Sequence, residues 1–421
     1  MPQNYDDTRR RQLHRRQEQR RRQEQKRRSR RRIFLVAMII ALTVALAGLI
    51  AALIMHLSKP KPDPVVTPTT QPDATQATEP ETVIDIAFAG DLNVTDKLIS
   101  SGTSAGGYDF TDVFMDVAPL LACADASVLN LEGGFGEGPF GTAQARAPRE
   151  LAQALSSAGV DLIQMANSYT LKNGLLGLNQ SLDTIWQSGM EPVGAWRSNE
   201  ENDKYNGFTL RSIHGIKIAF VAFTKGMDEH ITLPPGAENR VNLLYKDHTS
   251  LYQEVDTDGI KKVLRAVERE KPDLTVALLH WGSEDFEQIS DTQRSIAKLM
   301  KNEGVDAIIG THSHKVQAVE YDEKTGSLIA WSLGDFLGEV PYSIVLNLEI
   351  TRNNQTGKTK ITGVNYTPIY NVSTETTVQL LRIPDAIAAY EAHSIDRVSE
   401  EIYKAMKTAL SRLSAQMKPK K

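Results

Sequence analysis

Asp306-Ala307-Ile308-Ile309-Gly310-Thr311-His312-Ser313-His314 is an apolar run that breaks at a glycine and ends in a His-x-His pair. The run is short and aliphatic on both faces, which fits a strand buried inside an α/β sheet. Ligand sites in open α/β sheets form at the carboxyl ends of the strands, so the two histidines stand where chemistry is expected. In an extended segment positions 312 and 314 point to one side, ~6.6 Å apart along the chain. A small turn there lets both imidazoles reach one metal centre.

Other runs end in the same way. Ile84 to Ala89 leads into Gly90-Asp91, Ala126 to Leu131 stops at Glu132, and Leu274 to Leu279 runs into His280-Trp281-Gly282. Further buried strands are expected over 161–166, 216–223 and 328–333. Helices are predicted between the strands over 111–124, 149–157, 175–188, 259–269 and 290–302. The last opens on Ser290-Asp291-Thr292-Gln293, a capping-box pattern, and stops at Gly304. Strand and helix alternate, which gives an α/β domain. A lone Asp after Gly is ordinarily a turn residue, and a lone His is ordinarily a hydrogen-bonded polar group. Here three of only nine histidines fall at two strand ends in the company of two strand-end acids. A bound metal accounts for that clustering, and mixed carboxylate and imidazole ligands suit Mn, Zn or Fe rather than Ca or Mg.

The 421 residues carry a net charge of −4, an average that hides two opposed parts. Residues 1–32 hold fourteen Lys/Arg against four acids, a net +10, and the rest of the chain holds 34 against 48, a net −14. Between the blocks Ile33 to Met55 runs for 23 residues without a charge, enough for a helix that needs ~20 apolar residues to cross a bilayer. The apolar run exceeds the ~7–15 residues of a cleaved signal. The basic flank keeps the N-terminus cytoplasmic and places the remainder outside, a single-pass plasma-membrane topology. Beside a membrane, the Arg/Gln-rich arm is read as a ligand for anionic lipid headgroups rather than for nucleic acid. The expected organisation is therefore a basic arm over 1–32, a transmembrane helix over 33–57, a Pro/Thr-rich stalk over 58–82, an α/β domain over 83–383, and a C-terminal helix with a basic tail over 384–421. The single cysteine, Cys123, excludes a disulfide framework and is expected to be a small buried apolar residue. Gly102-Thr103-Ser104-Ala105-Gly106 has the spacing of a hydrolase nucleophile elbow without the flanking strand and helix, and reads as a loop.

Gly90-Asp91, Asn130-Leu131-Glu132, Ala166-Asn167, Val193-Gly194-Ala195, His280-Trp281-Gly282, Gly310-x-His312-x-His314-x-Val316-Gln317 and Ser332-Leu333-Gly334-Asp335-Phe336, in that order over about 83–340, resemble the CapA-type capsule (poly-γ-glutamate) synthesis family. The resemblance implies a four-layer α/β/β/α fold of the calcineurin-like metallophosphoesterase type. It also implies work on a cell-surface polymer alongside other envelope-polymer synthesis proteins. Carried over by position, the implied metal ligands are Asp91, Glu132, Ser168, His280, His312 and His314, holding one or two divalent transition-metal ions (Mn, Zn or Fe). Substrate contacts are expected of Asn167, Trp281 and Glu284.

One motif departs from the family pattern. Where Ala-Asn-Asn-His is typical, the chain reads Ala166-Asn167-Ser168-Tyr169, so the asparagine and histidine of the pattern become Ser168 and Tyr169. Tyr169 takes the catalytic position, and a phenol with an ordinary pKa of ~10 is a poor proton donor near neutrality. The expectation is a metal-binding domain with weak or absent phosphoesterase activity, against two alternatives: an active metal-dependent hydrolase of an envelope phosphodiester or amide, and a noncatalytic polymer-binding scaffold.

Overall fold

Side chains alternate across a strand, and along Ile216–Thr224 the alternation separates two cores. Ile216, Ile218, Phe220 and Ala222 join one buried cluster, while Ala219, Val221 and Phe223 join another. Both faces of this strand are therefore covered, as the unbroken aliphatic run requires.

The structure, a computed structural model, describes residues 80–228 and 231–417. The strands β1 (Glu81–Asn93), β2 (Ala126–Glu132), β3 (Leu162–Gln164) and β4 (Glu191–Val193) enter a first sheet. A second sheet follows from β5 (Thr209–Ile213), β6 (Ile216–Thr224), β7 (Leu274–His280), β8 (Ala307–Thr311), β9 (Val319–Asp322) and β10 (Ser327–Ala330). The chain then returns to the first sheet as β11 (Asp335–Leu337), β12 (Tyr342–Asn353), β13 (Thr359–Ser373) and β14 (Val378–Arg382). The first sheet has the order β14-β13-β12-β1-β2-β3-β4, with β11 beside the end of β1, and the second has the order β9-β10-β8-β7-β6-β5. Strands β1 to β4 are parallel, as are β6, β7, β8 and β10. The site-bearing strand ends of each sheet thus lie along one edge.

Ile84, Ile86 and Phe88 of β1 share a cluster with Phe220, Val276 and Ile309 of the second sheet, so the sheets pack face to face. The helices α1 (Arg149–Ser157) and α2 (Gly174–Gln187) contribute Leu151, Leu155, Leu178 and Leu182 to that cluster. On the outer face of the second sheet, α3 (Thr257–Glu270) and α4 (Asp291–Asn302) bury Ile260, Leu264, Ile296 and Met300. The capping box of α4 is formed: Ser290 Oγ accepts from Gln293 N at 3.1 Å, and Gln293 Oε1 accepts from Ser290 N at 3.0 Å.

Several local expectations are corrected. The single helix expected over 111–124 is two short pieces, Thr111–Phe114 and Ala118–Ala122. Cys123 caps the second piece and is exposed, because Leu121 takes the core-facing position. The C-terminal segment forms α5 (Ile383–Glu391) and α6 (Glu400–Gln416), which close over β13 and β14 through Leu381, Ala386 and Met406. Among the described residues no helix is long and apolar enough to cross a membrane. The basic arm, the span expected over 33–57, the stalk up to residue 79 and the tail from 418 lie outside the described residues.

Candidate metal centre

Two glycines let the site-bearing strands approach. A Cβ on Gly90 would lie 1.9 Å from the Gly334 carbonyl oxygen, and one on Gly310 would lie 2.0 Å from that of Trp331. Both distances are impossible for a side chain. The bare Gly90 lets Asp91 N donate to Gly334 O at 3.0 Å and pairs Asp91 with Asp335 in the β1–β11 register. The bare Gly310 lets β8 pass the buried Trp331 and deliver His312.

Six side chains form two adjacent groups. The ligand atoms of Glu132, His280 and His312 lie within 4.8 Å of one another, and so do those of Asp91, His314 and Asp335. The two histidines expected at one centre are divided between two. The extended geometry assumed for them does not hold, because His312 and His314 both have positive φ, 92° and 58°. Side chains rarely adopt that backbone, and where it persists it clusters at functional sites. The imidazoles end 6.3 Å apart between ring centres.

Hydrogen bonds fix Asp91, His280 and His314. Asp91 Oδ1 accepts from Asn130 Nδ2 at 2.6 Å, and Asp91 Oδ2 accepts from His312 N at 2.9 Å. His280 Nδ1 lies 3.1 Å from Thr311 Oγ1, and His314 Nδ1 lies 2.7 Å from Asp335 Oδ1. Imidazoles braced through the second ring nitrogen in this way are held ready to coordinate through the first.

The electrostatics describe a crowded, largely buried cluster. Burial, with the neighbouring Asp335 charge, raises the Asp91 pKa to about 6 against the pull of His314. Burial, then Asp91 and Asp335, push Glu132 well above the usual carboxylate range. Burial and the other imidazoles hold His280 well below its ordinary value, and burial and Lys225 do the same to His312. Burial alone would lower His314, yet its bond to Asp335 and the charges of Glu132, Asp335 and Asp91 raise it to about 10.

Glu132 supplies the test of fit for a cation. It is 2% exposed, and neither carboxylate oxygen has a hydrogen-bond partner, although Oε1 lies 3.3 Å from His280 Nε2. An unpaired buried carboxylate is among the costliest arrangements a fold can keep. With three carboxylates and three imidazoles converging, the donor set fits divalent transition metals. Asp91, Glu132, Asp335, His280, His312 and His314 are the residues that would hold them.

The other site expectations separate. Ser168 Oγ lies 3.1 Å from His280 Nε2, beside the Glu132, His280 and His312 group. Tyr169 and Glu284 line a cavity of about 430 Å³ that also opens onto Glu132, His314 and Asp335. Burial, then Glu132, push the Tyr169 phenol to about 12. Asn167 is fully buried: its Nδ2 donates to Asn130 Oδ1 at 3.0 Å and Leu131 O at 2.7 Å, and its Oδ1 accepts from Tyr169 N. It braces the loop after β3 instead of meeting substrate. Trp281 is also withdrawn from substrate. It is 0% exposed and stacks on Trp331 at 5.4 Å, with Nε1 donating to Trp331 O. Period-two alternation turns residue 281 to the face opposite His280, into the core under α3 and α4.

Residues 85–339 match the family model described as bacterial capsule synthesis protein PGA_cap. The chain belongs to this bacterial capsule synthesis family. Among curated relatives it is 22% identical over 295 residues to the PGA biosynthesis protein CapA of Bacillus subtilis strain 168, spanning 67% of this chain and 72% of the relative. It is 25% identical over 193 residues to the capsule biosynthesis protein CapA of Bacillus anthracis, spanning 45% and 43% respectively. Solved structures that overlay on it include a Mycoplasma pneumoniae phosphatase, with a TM-score of 0.41, 14% identity and coverage of 69% of this chain and 94% of that one. A calcineurin-like phosphoesterase of Bacillus subtilis overlays with a TM-score of 0.40, 12% identity and coverage of 78% and 100%.

Sequence reasoning missed Asp335 and Lys225. The signal for Asp335 was available: Gly334-Asp335 repeats Gly90-Asp91, and the two pairs meet in register. Lys225 follows the end of β6, where a lone lysine reads as solvated. Its Nζ instead lies 2.9 Å from His312 Nε2 and 3.3 Å from Gly282 O, and burial lowers its pKa.

Proposed function

We propose that this member of the capsule synthesis family is an outward-facing, membrane-anchored protein. It holds two divalent transition-metal ions and serves synthesis, export or anchoring of a capsule or other cell-envelope polymer of the poly-γ-glutamate type, with weak or no phosphodiester hydrolysis. The observation that carries the metal reading is the adjacent pair of three-residue groups, one of which contains the unpaired carboxylate of Glu132. The anchor and its orientation rest on the basic arm and the uncharged stretch Ile33 to Met55. Family membership supports the polymer and the envelope-synthesis partners.

Bound ions of this kind supply Lewis acidity and an activated water. The chain's own residues then position and stabilise. Asp91 is held by Asn130 and the His312 backbone, and His314 by Asp335. No histidine stands at position 169 to protonate a leaving group, and a phenol at about 12 does that poorly near neutrality. This mismatch between a mostly retained ligand set and a weak proton donor supports slow turnover.

The test is metal content, thermal stability and turnover of bis(4-nitrophenyl) phosphate by the full chain in detergent. Two ions per chain are expected, each adding stabilisation of ~4 kcal/mol when free metal is a thousandfold above its dissociation constant. Glu132→Gln lowers both. Failure to bind metal overturns the reading. Brisk metal-dependent turnover that His312→Ala abolishes replaces it with the active-hydrolase alternative.

A further inference from the structure

Lys225 brings a cation to one of the two metal groups. It follows the end of β6, where its N donates to His280 O at 2.9 Å, so the lysine leaves the sheet beside a residue of the Glu132 group. The side chain is half-buried. Its Nζ lies 4.8 Å from the centre of the Tyr252 ring, donates to Gly282 O at 3.3 Å and ends 2.9 Å from His312 Nε2. Gly226 lets the later loop close on this lysine, since a Cβ there would lie 2.5 Å from His248 O and 2.9 Å from Tyr252 Cε1. Glu284 and Asp228 attract the ammonium, yet neither forms an ion pair with it among the described residues.

That contact and a metal ion compete for His312. A neutral imidazole has one lone pair, and an ammonium has hydrogens to give and no lone pair with which to accept. If an ion takes Nε2, Lys225 must leave it. If an ion takes Nδ1, Nε2 carries the ring hydrogen and the ammonium faces a donor. In both cases the ion also meets a positive neighbour. The other group differs on two counts. It holds two carboxylates, Asp91 and Asp335, against the single carboxylate of Glu132. Its histidine is braced by an acid, with His314 Nδ1 2.7 Å from Asp335 Oδ1, where His312 meets a cation.

We propose that Lys225 makes the two metal positions unequal: the position at Asp91, His314 and Asp335 fills first, and the position at Glu132, His280 and His312 takes its ion only by displacing the Lys225 ammonium from His312. This rests on the two-metal reading above. The second position then fills and empties with the supply of divalent ion while the first stays loaded, so metal concentration sets whether the site works with one ion or two.

The test counts free manganese by electron paramagnetic resonance as the metal-free full chain is titrated in detergent. Two classes of site are expected, one ion each, at least about tenfold apart in dissociation constant, as a divalent ion beside a partly solvated ammonium allows. Asp335→Asn is expected to weaken the tighter class, and His280→Ala the weaker one. Lys225→Met and Lys225→Gln, which remove the charge, are each expected to tighten the weaker class about tenfold and to leave the tighter class within about twofold. Lys225→Arg keeps the charge and keeps the weaker class weak. Two equal sites in the native chain overturn the proposal without any variant. A weaker class that the neutral variants leave unchanged, or that Asp335→Asn removes in place of the tighter one, also overturns it. One ion in the native chain and two in a neutral variant support it, as the same competition carried to its limit. If the native chain and the neutral variants all bind one ion or none, the two-metal reading fails and takes this proposal with it.

Discussion

His312 and His314 are separated by one residue, yet they serve different groups: His312 joins Glu132 and His280, and His314 joins Asp91 and Asp335. The left-handed backbone at both positions, φ 92° and 58°, divides them. An extended His-x-His would have delivered both rings to one ion. This division makes a stoichiometric prediction. His312→Ala and His314→Ala each reduce bound metal from two ions per chain to one, measured by elemental mass spectrometry after dialysis. A single shared centre would lose all metal in either variant, and that result refutes the two-group arrangement.

Gly90 is the point at which β1 touches the turn before β11. Adding a methyl group there places a carbon 1.9 Å from the Gly334 carbonyl oxygen, and the backbone must move. Gly90→Ala is expected to cost about 1–3 kcal/mol, the range for overpacking a tight interior, read as a lower midpoint in denaturant. Because the same contact pairs Asp91 with Asp335, the variant also loses the metal held by that group and keeps the one at Glu132. An unchanged midpoint would mean that the close approach is not retained in solution.

The positions of Asp91, Glu132, His280 and the two histidines after β8 were legible because strand ends are marked by aliphatic runs that stop abruptly. What stayed hidden depended on which way a side chain turns. Trp281 and His280 are adjacent in sequence and lie on opposite faces of one sheet, a consequence of period-two alternation that a motif reading ignores. Asn167 carries polar groups that a substrate can use, but they are spent on Asn130, Leu131 and Tyr169. Lys225 depended on a contact with His312 across 87 residues of chain, which no local pattern encodes.

Asp306 offers a pH prediction away from the metal ligands. It precedes β8 as an exposed residue whose Oδ2 accepts from Thr275 N at 2.8 Å, and partial burial of that carboxyl raises its pKa above the ordinary 3.8 although the hydrogen bond lowers it. A carboxyl that keeps its proton to higher pH when folded makes the folded state the better proton binder. Stability therefore falls as pH rises from about 3.8 through the raised value, and the loss persists above it. Asp306→Asn removes the charge and keeps an oxygen for Thr275 N. Its melting temperature relative to the native chain should rise modestly between pH 3.5 and pH 7, and a constant difference would contradict partial desolvation of the carboxyl.

The last prediction concerns the loop after β3, where Ser168 and Tyr169 stand in place of the family's asparagine and histidine. Ser168 Oγ already reaches His280 Nε2 at 3.1 Å, and Tyr169 lines the cavity beside Glu132 and His314. The double substitution Ser168→Asn/Tyr169→His therefore places an amide at the edge of one metal group and a proton donor titrating near neutrality on the wall. A positioned general acid is worth about 10²–10⁴-fold in rate. The double variant is expected to hydrolyse bis(4-nitrophenyl) phosphate at least about tenfold faster than the native chain at equal metal content. The single Ser168→Asn variant separates the roles: a gain already complete there would assign the effect to the metal group instead of to a proton donor. If the native chain already matches the double variant, Tyr169 does not limit the chemistry and the slow-turnover reading is wrong.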